Sequence, residues 1–216
     1  MKYRLVIFDF DGTLADSVPW MMGVADEIAD RHHFPRLTDA DREAIRGPEA
    51  ASIPRLLKIP RWKLVLIARD GRRMMAAKLH EIQLYPGAAD LLRHLSENGV
   101  RIAIVSSNSE SNIRQILGES LASLVEQYEC GASFFGKSRK LRKVIRKSGL
   151  PAESILSVGD EMRDLTASLD VGLPFGGVSW GICHATALRE AGATVVFDTI
   201  GQISDIVLSA PAPASL

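Results

Sequence analysis

Residues 3–17 read YRLVIFDFDGTLADS, and the fold follows from how this stretch is built. A partly β-branched apolar run from Tyr3 to Phe8 stops at a carboxylate, Asp9, with Asp11 two residues on and Gly12 directly after. A short apolar run without polar alternation predicts a strand covered on both faces. Similar runs stand at 101–105 (RIAIV), 154–158 (SILSV), 173–178 and 194–197 (TVVF), with a weaker one near 128–133. Helical patterns lie between them. Residues 90–98 (DLLRHLSEN) set Leu91, Leu92 and Leu95 on one face and end at Gly99. Residues 137–148 carry Leu141, Val144 and Ile145 at helical spacing and stop at Gly149, with Pro151 just beyond. Strands alternating with helices in this way predict an α/β fold with a doubly wound, largely parallel (Rossmannoid) sheet.

One segment departs from the alternation. From residue 16 to residue 85 only helical patterns occur, punctuated by Pro35, Pro48, Pro54 and Pro60. Such a block between the first strand and the next unit predicts an inserted α-helical cap over 16–85, with Pro86-Gly87 marking re-entry. The α/β core is then 1–15 and 86–209. The closing APAPASL, 210–216, is a Pro/Ala tail expected to be disordered.

Composition narrows the function classes. The chain has 216 residues, 46% hydrophobic and 24% charged, with 26 basic residues against 26 acidic ones. The apolar fraction suffices for a buried core. A formal net charge of zero argues against coating nucleic acid or an anionic membrane. The first residues lack the uninterrupted apolar core of a signal peptide, and no stretch approaches the roughly 18 apolar residues of a membrane span. Cys130 and Cys183 show no CxxC spacing and read as two thiols in a reducing compartment, which predicts a cytoplasmic location.

The chemistry gathers at strand ends. Asp9 and Asp11, two residues apart where a strand exits, can face the same side. The C-terminal edge of such a sheet is where these folds place their sites. Two carboxylates there repel unless compensated, and a hard divalent cation is the natural agent. One Asp can then serve as nucleophile and the other as proton shuttle. Alone, the DxDG pattern also fits a solvated strand-loop corner.

The later segments remove that ambiguity. DFDGTLADS is similar to the first signature of the haloacid dehalogenase (HAD) superfamily, whose members are mostly phosphohydrolases. IAIVSSN (102–108) resembles the second signature, Lys137 within FFGKSRK the third, and VGDEMRD (158–164) the fourth. VSWG (178–181) and AGATVVFD (191–198) resemble the closing elements, and a helical insert right after the first signature resembles the phosphoglycolate-phosphatase-like branch.

This resemblance implies a Mg²⁺-dependent phosphatase of a small phosphorylated metabolite, acting through an aspartyl-phosphate. Asp9 is the implied nucleophile and Asp11 the implied acid and base. Mg²⁺ is implied on the side chains of Asp9 and Asp160 and on the backbone carbonyl of Asp11, with Asp164 in contact directly or through water. Ser106, Ser107 and Asn108 offer hydroxyl, backbone and amide donors to phosphoryl oxygens, and Lys137 supplies positive charge. Lys140, in the same basic run, competes with Lys137 for that role. Arg46, beside Gly47-Pro48 in the insert, is the candidate reader of a second anionic group on the substrate.

Other readings compete. Sugar-phosphate mutases of the superfamily use the same four motifs, and a catalytically silent phosphate-binding or interaction protein is a third possibility. An intact Asp9, Asp11, Lys137 and Asp160 set argues against silence. Dehalogenase chemistry in the family lacks both Mg²⁺ and the acid at Asp11. GASFFGKS (131–138) satisfies the GxxxxGK[ST] phosphate-loop pattern, yet two phenylalanines sit where backbone amides must face phosphate. The basic run 137–147 carries no interleaved aromatics for nucleic acid. Oligomeric state leaves no mark in the sequence.

Overall fold

The computed structural model describes residues 1–47, 57, 59–131 and 136–210 of the chain. Pro48, Pro54, the 132–135 part of the glycine-lysine pattern and the 211–216 part of the tail lie outside the described residues. Six parallel strands form one sheet: β1 (Leu5–Phe8), β2 (Arg101–Val105), β3 (Gln127–Glu129), β4 (Ile155–Gly159), β5 (Phe175–Val178) and β6 (Val195–Phe197), in the order β3-β2-β1-β4-β5-β6. β1 is central, with Phe8 opposite Ile104 on one side and Val158 on the other.

The period-2 geometry of β1 explains its continuous apolar run. Val6 and Phe8 face a cluster built from Leu91, Leu92 and Leu95 of α4 (Ala88–Glu97), Ile113 and Leu117 of α5 (Glu110–Ala122), and Ile203 and Val207 of α9 (Gly201–Leu208). Leu5 and Ile7 face the opposite layer, with Leu141 and Val144 of α6 (Lys137–Ser148) and Ala167 of α7 (Met162–Leu169). Each such side chain buried contributes about 1.5–3 kcal/mol, so a polar residue at any of the four positions would be costly. β3 is shorter than the weak run near 128–133 suggests, ending at Glu129, where Lys143 meets the carboxylate at 2.8 Å. Helix α8 (Ala185–Glu190) precedes β6.

Between β1 and β2 lie α1 (Val18–His32), α2 (Asp39–Ile45) and α3 (Arg61–Ala77). Thr38 starts α2 with a reciprocal cap: its hydroxyl accepts the Asp41 N–H at 3.1 Å and its N–H reaches the Asp41 carboxylate at 2.9 Å. Asp70 on α3 pairs with His32 on α1 at 3.0 Å, and Arg42 on α2 with Asp26 on α1 at 3.1 Å. The insert leaves and rejoins the sheet through one neck. There Asp16 N–H donates to Gln83 at 2.8 Å and Tyr85 N–H to Leu14 at 2.9 Å, flanking an antiparallel bridge between Ala15 and Leu84. Met75, Leu79 and Ile82, at the end of the helical segment, are buried in the same cluster as Phe8 and Leu92. Among the described residues no helix is long and apolar enough to cross a membrane.

Candidate active site

Reversal of strand order on either side of β1 opens a crevice at its C-terminal end, where α/β sheets bind ligands. Asp9 stands there, its N–H still in the sheet ladder through Val158 O at 2.8 Å. Phe10 turns into the core, so Asp9 and Asp11 emerge on the other side. The chain then closes tightly, with the N–H groups of Leu14 and Ala15 both on Phe10 O at 2.9 Å. Gly12 makes this turn with φ +76°, and a Cβ there would fall 2.2 Å from Asp160 Oδ2. Both the left-handed backbone and the close approach demand glycine.

Asp160 leaves β4 next door and is 1% exposed. Its Oδ1 accepts the Thr13 hydroxyl at 3.3 Å and its Oδ2 the Ile182 N–H at 2.9 Å. Asp164, one turn into α7, accepts the Glu161 N–H at 3.2 Å. Oxygens of Asp9, Asp160 and Asp164 lie within 4.8 Å of one another, all three residues buried. Burial raises the pKa of Asp9, with Lys137 opposing. Burial, then the charges of Glu161, Asp164 and Asp9, holds the Asp160 carboxyl well above its ordinary value. An all-oxygen, crowded carboxylate set of this kind fits a hard divalent cation such as Mg²⁺, which would relieve the repulsion.

Lys137 opens α6 and reaches into this cluster. Its ammonium lies 3.0 Å from Asp9 Oδ1 and also bonds Asp164. Burial alone would lower its pKa, but Asp164 and Asp9 outweigh burial and raise it. Lys140 is spent elsewhere, on the backbone carbonyls of Ser106 at 2.8 Å and Gly131 at 2.5 Å. Geometry thus separates two lysines that spacing left equivalent.

Ser106 follows β2, and its Oγ accepts the Asn108 N–H at 3.0 Å, which leaves the hydroxyl proton to donate into the crevice. The Asn108 amide points to Asp11 Oδ1 at 3.3 Å rather than standing open to a ligand. Burial and the neighbouring Asp9 charge push the Asp11 carboxyl up to about 6. Ser107 is half-buried and offers its carbonyl to Arg72 at 3.4 Å. Arg46 is placed differently from these. It ends α2, its carbonyl accepts the His184 N–H at 2.8 Å, and its side chain makes no hydrogen bond or ion pair among the described residues.

Some contributors were not singled out from the sequence. Asn112 donates to Asn108 Oδ1 at 3.1 Å, and its i, i+4 spacing from Asn108 was the available signal. Gly181 follows β5, and a Cβ there would lie 2.1 Å from the Cβ of Asp160. Gly181→Ala is therefore expected to displace Asp160, costing about 1–3 kcal/mol of stability as overpacking does and weakening Mg²⁺ binding. Thermal melts with and without Mg²⁺ measure both effects; a variant that matches the parent in both would show that the loop yields freely.

The comparisons with known proteins supply the chain's relatives. The family described as haloacid dehalogenase-like hydrolase matches residues 6–178. A phosphoglycolate phosphatase of Synechococcus elongatus is 33% identical over 189 residues, covering 87% of this chain and 89% of that protein. One from Vibrio cholerae is 27% identical, covering 95% and 97%. A crystal structure of a "predicted phosphatase" from Clostridium acetobutylicum superposes with TM-score 0.80 at 22% identity, covering 96% and 99%, a likeness of fold. The chain belongs to the haloacid dehalogenase-like hydrolase family. Within it, the chain is a phosphoglycolate-phosphatase-like hydrolase, a phosphatase by class.

Proposed function

We propose that this protein is a Mg²⁺-dependent phosphatase of a small phosphomonoester, phosphoglycolate-like or a sugar phosphate, working through an aspartyl-phosphate on Asp9. The observation that carries this reading is the Lys137 ammonium clamped on the Asp9 carboxylate beside Asp160 and Asp164. Such an arrangement holds a nucleophilic carboxylate in position and stabilises charge on a transferring phosphoryl group, the main catalytic demand of this chemistry.

Asp9 forms its bond to phosphorus as the bond to the leaving oxygen breaks, and Asp11 gives that oxygen a proton. A water then attacks the aspartyl-phosphate while Asp11 takes its proton, and the bond between Asp9 and phosphorus breaks. The Ser106 hydroxyl and the Lys137 ammonium hold phosphoryl oxygens, with Ser107 beside them, while Asn108 orients Asp11. When bound, Mg²⁺ would supply Lewis-acid neutralisation of the phosphoryl oxygens, held by Asp9 and Asp160, the Asp11 carbonyl and, directly or through water, Asp164. Residues 16–85 act as the cap, admitting substrate and excluding water over a core of 1–15 and 86–209. Two free thiols, Cys130 and Cys183, and a metabolite substrate suit a cytoplasmic location.

The test is a panel of phosphate monoesters assayed with Mg²⁺ and with EDTA. Hydrolysis with Mg²⁺ and its loss in EDTA are expected. Interconversion of sugar phosphates without phosphate release would assign the site to a mutase, and binding without turnover to a silent relative.

A further inference from the structure

Helix α3 lies across the loop that follows β2, and three contacts fix it there. Asn108 Nδ2 reaches Met75 Sδ at 3.0 Å, Asn112 Nδ2 donates to the Arg72 carbonyl at 3.3 Å, and Arg72 Nη1 donates to the Ser107 carbonyl at 3.4 Å. Residue 72 is thus held by its own backbone, and its guanidinium is set one residue from Ser106.

This cation is partly buried with no acid beside it among the described residues. Arg36, Arg42, Arg93, Arg101, Arg114 and Arg163 each reach a carboxylate within 3.1 Å. Among the described residues Arg72 reaches none. Asp70, two residues earlier, is occupied by His32 at 3.0 Å and faces Arg69 at 3.9 Å. Burial lowers the Arg72 pKa with no acid set against it. A guanidinium carries five N–H donors in a planar fork suited to carboxylate, and only one long contact is used here.

We propose that Arg72 is the specificity-determining residue of this site, pairing with a carboxylate on the substrate while the phosphoryl group sits against Ser106 and Lys137. The assignment rests on the phosphatase reading above. It narrows the substrate to a short phosphomonoester bearing a carboxylate, because Ser106 and the carbonyl that Arg72 touches belong to adjacent residues. It also moves the second anion from Arg46, at the end of α2, to the C-terminal half of α3.

Kinetics of the full chain with Mg²⁺ on two substrates test this: phosphoglycolate, and ethyl phosphate, which has the same carbon count and no carboxylate. The readout is the ratio of their kcat/KM values, which cancels general damage to the site. Arg72→Gln keeps an N–H for the Ser107 carbonyl and removes the charge; it is expected to lower the ratio about 10–100-fold through KM, as loss of uniform binding does. Arg72→Lys should recover part of the ratio. Melting temperatures identify a variant that fails to fold, and the other of Arg72→Gln and Arg72→Lys then carries the test. Equal losses on both substrates would make Arg72 a brace for the loop and overturn the proposal. So would an unchanged ratio, or a ratio lost in Arg46→Ala instead. A wild-type protein inactive on every phosphomonoester would overturn the phosphatase reading and this assignment together, whereas an active one indifferent to the carboxylate overturns this assignment alone.

Discussion

Asp9→Asn is expected to abolish turnover of every phosphomonoester, p-nitrophenyl phosphate included, with a loss on the order of 10⁴-fold or more, the scale on which removing a nucleophile acts. An amide neither attacks phosphorus usefully nor holds a hard cation as a carboxylate does. The loss should not come from unfolding. Asp9 stands among Asp11, Asp160, Glu161 and Asp164, and burial already raises its pKa. Removing one negative charge from that crowd relieves repulsion, and Lys137 loses one partner but keeps Asp164, so the metal-free variant should melt close to the parent. Trapping with radiolabelled substrate should yield a phosphorylated protein for the parent and none for the variant. Substantial turnover by Asp9→Asn would exclude the covalent route.

A second large effect is expected at Asp11, and it depends on the leaving group. Asp11→Asn should cost about 10²–10⁴-fold in the phosphorylation step for an alkyl phosphate, the usual contribution of a general acid. A p-nitrophenolate leaving group needs little protonation and should suffer less. The pH dependence carries the sign. Burial and the Asp9 charge push the Asp11 carboxyl up to about 6 with no cation beside it. Because the protonated form donates, kcat/KM for the alkyl phosphate should be greatest below that value and fall as pH rises through it. A cation bound alongside moves the fall to lower pH. In Asp11→Asn this alkaline limb should vanish, since an amide has nothing to titrate there. Burst-phase measurement separates this step from slow dephosphorylation. Equal losses for both leaving groups in the burst would give Asp11 a structural or metal-positioning role.

How far the sequence could be read depended on what local pattern encodes. The central strands were legible because a strand covered on both faces must be apolar at every position, as Leu5, Val6, Ile7 and Phe8 are. Asp9, Asp11 and Asp160 were legible because carboxylates directly after such strands have no role in packing. Lys137 and Lys140 were not separable by spacing, because both lie in one basic run. Only the direction of α6 sends the first to Asp9 and the second to the Ser106 carbonyl. Arg46 drew notice through its Gly-Pro neighbours, yet the cap at Thr38 and the end of α2 determine where it stands. Arg72 had no local mark at all beside Arg69 and Arg73. Its meaning comes from the docking of α3 on Ser107, Asn108 and Asn112, contacts that span 33 to 40 residues.

The neck at Ala15 and Leu84 bears on how this chain can change over evolutionary time. The two backbone bonds there already hold the ends of the insert together, so the entropy of closing the loop is met locally, and it grows only slowly with the length inserted. Segments between α1 and the first turns of α3 can therefore lengthen, shorten or be exchanged with little strain on the sheet. That freedom stops at Met75. From there to Ile82 the side chains fill the same core as Phe8, and Met75 touches the asparagine that orients Asp11. A lineage acquiring a new substrate could thus redraw most of the insert, but any replacement must keep the last turns of α3 as they are, and with them the place where Arg72 stands.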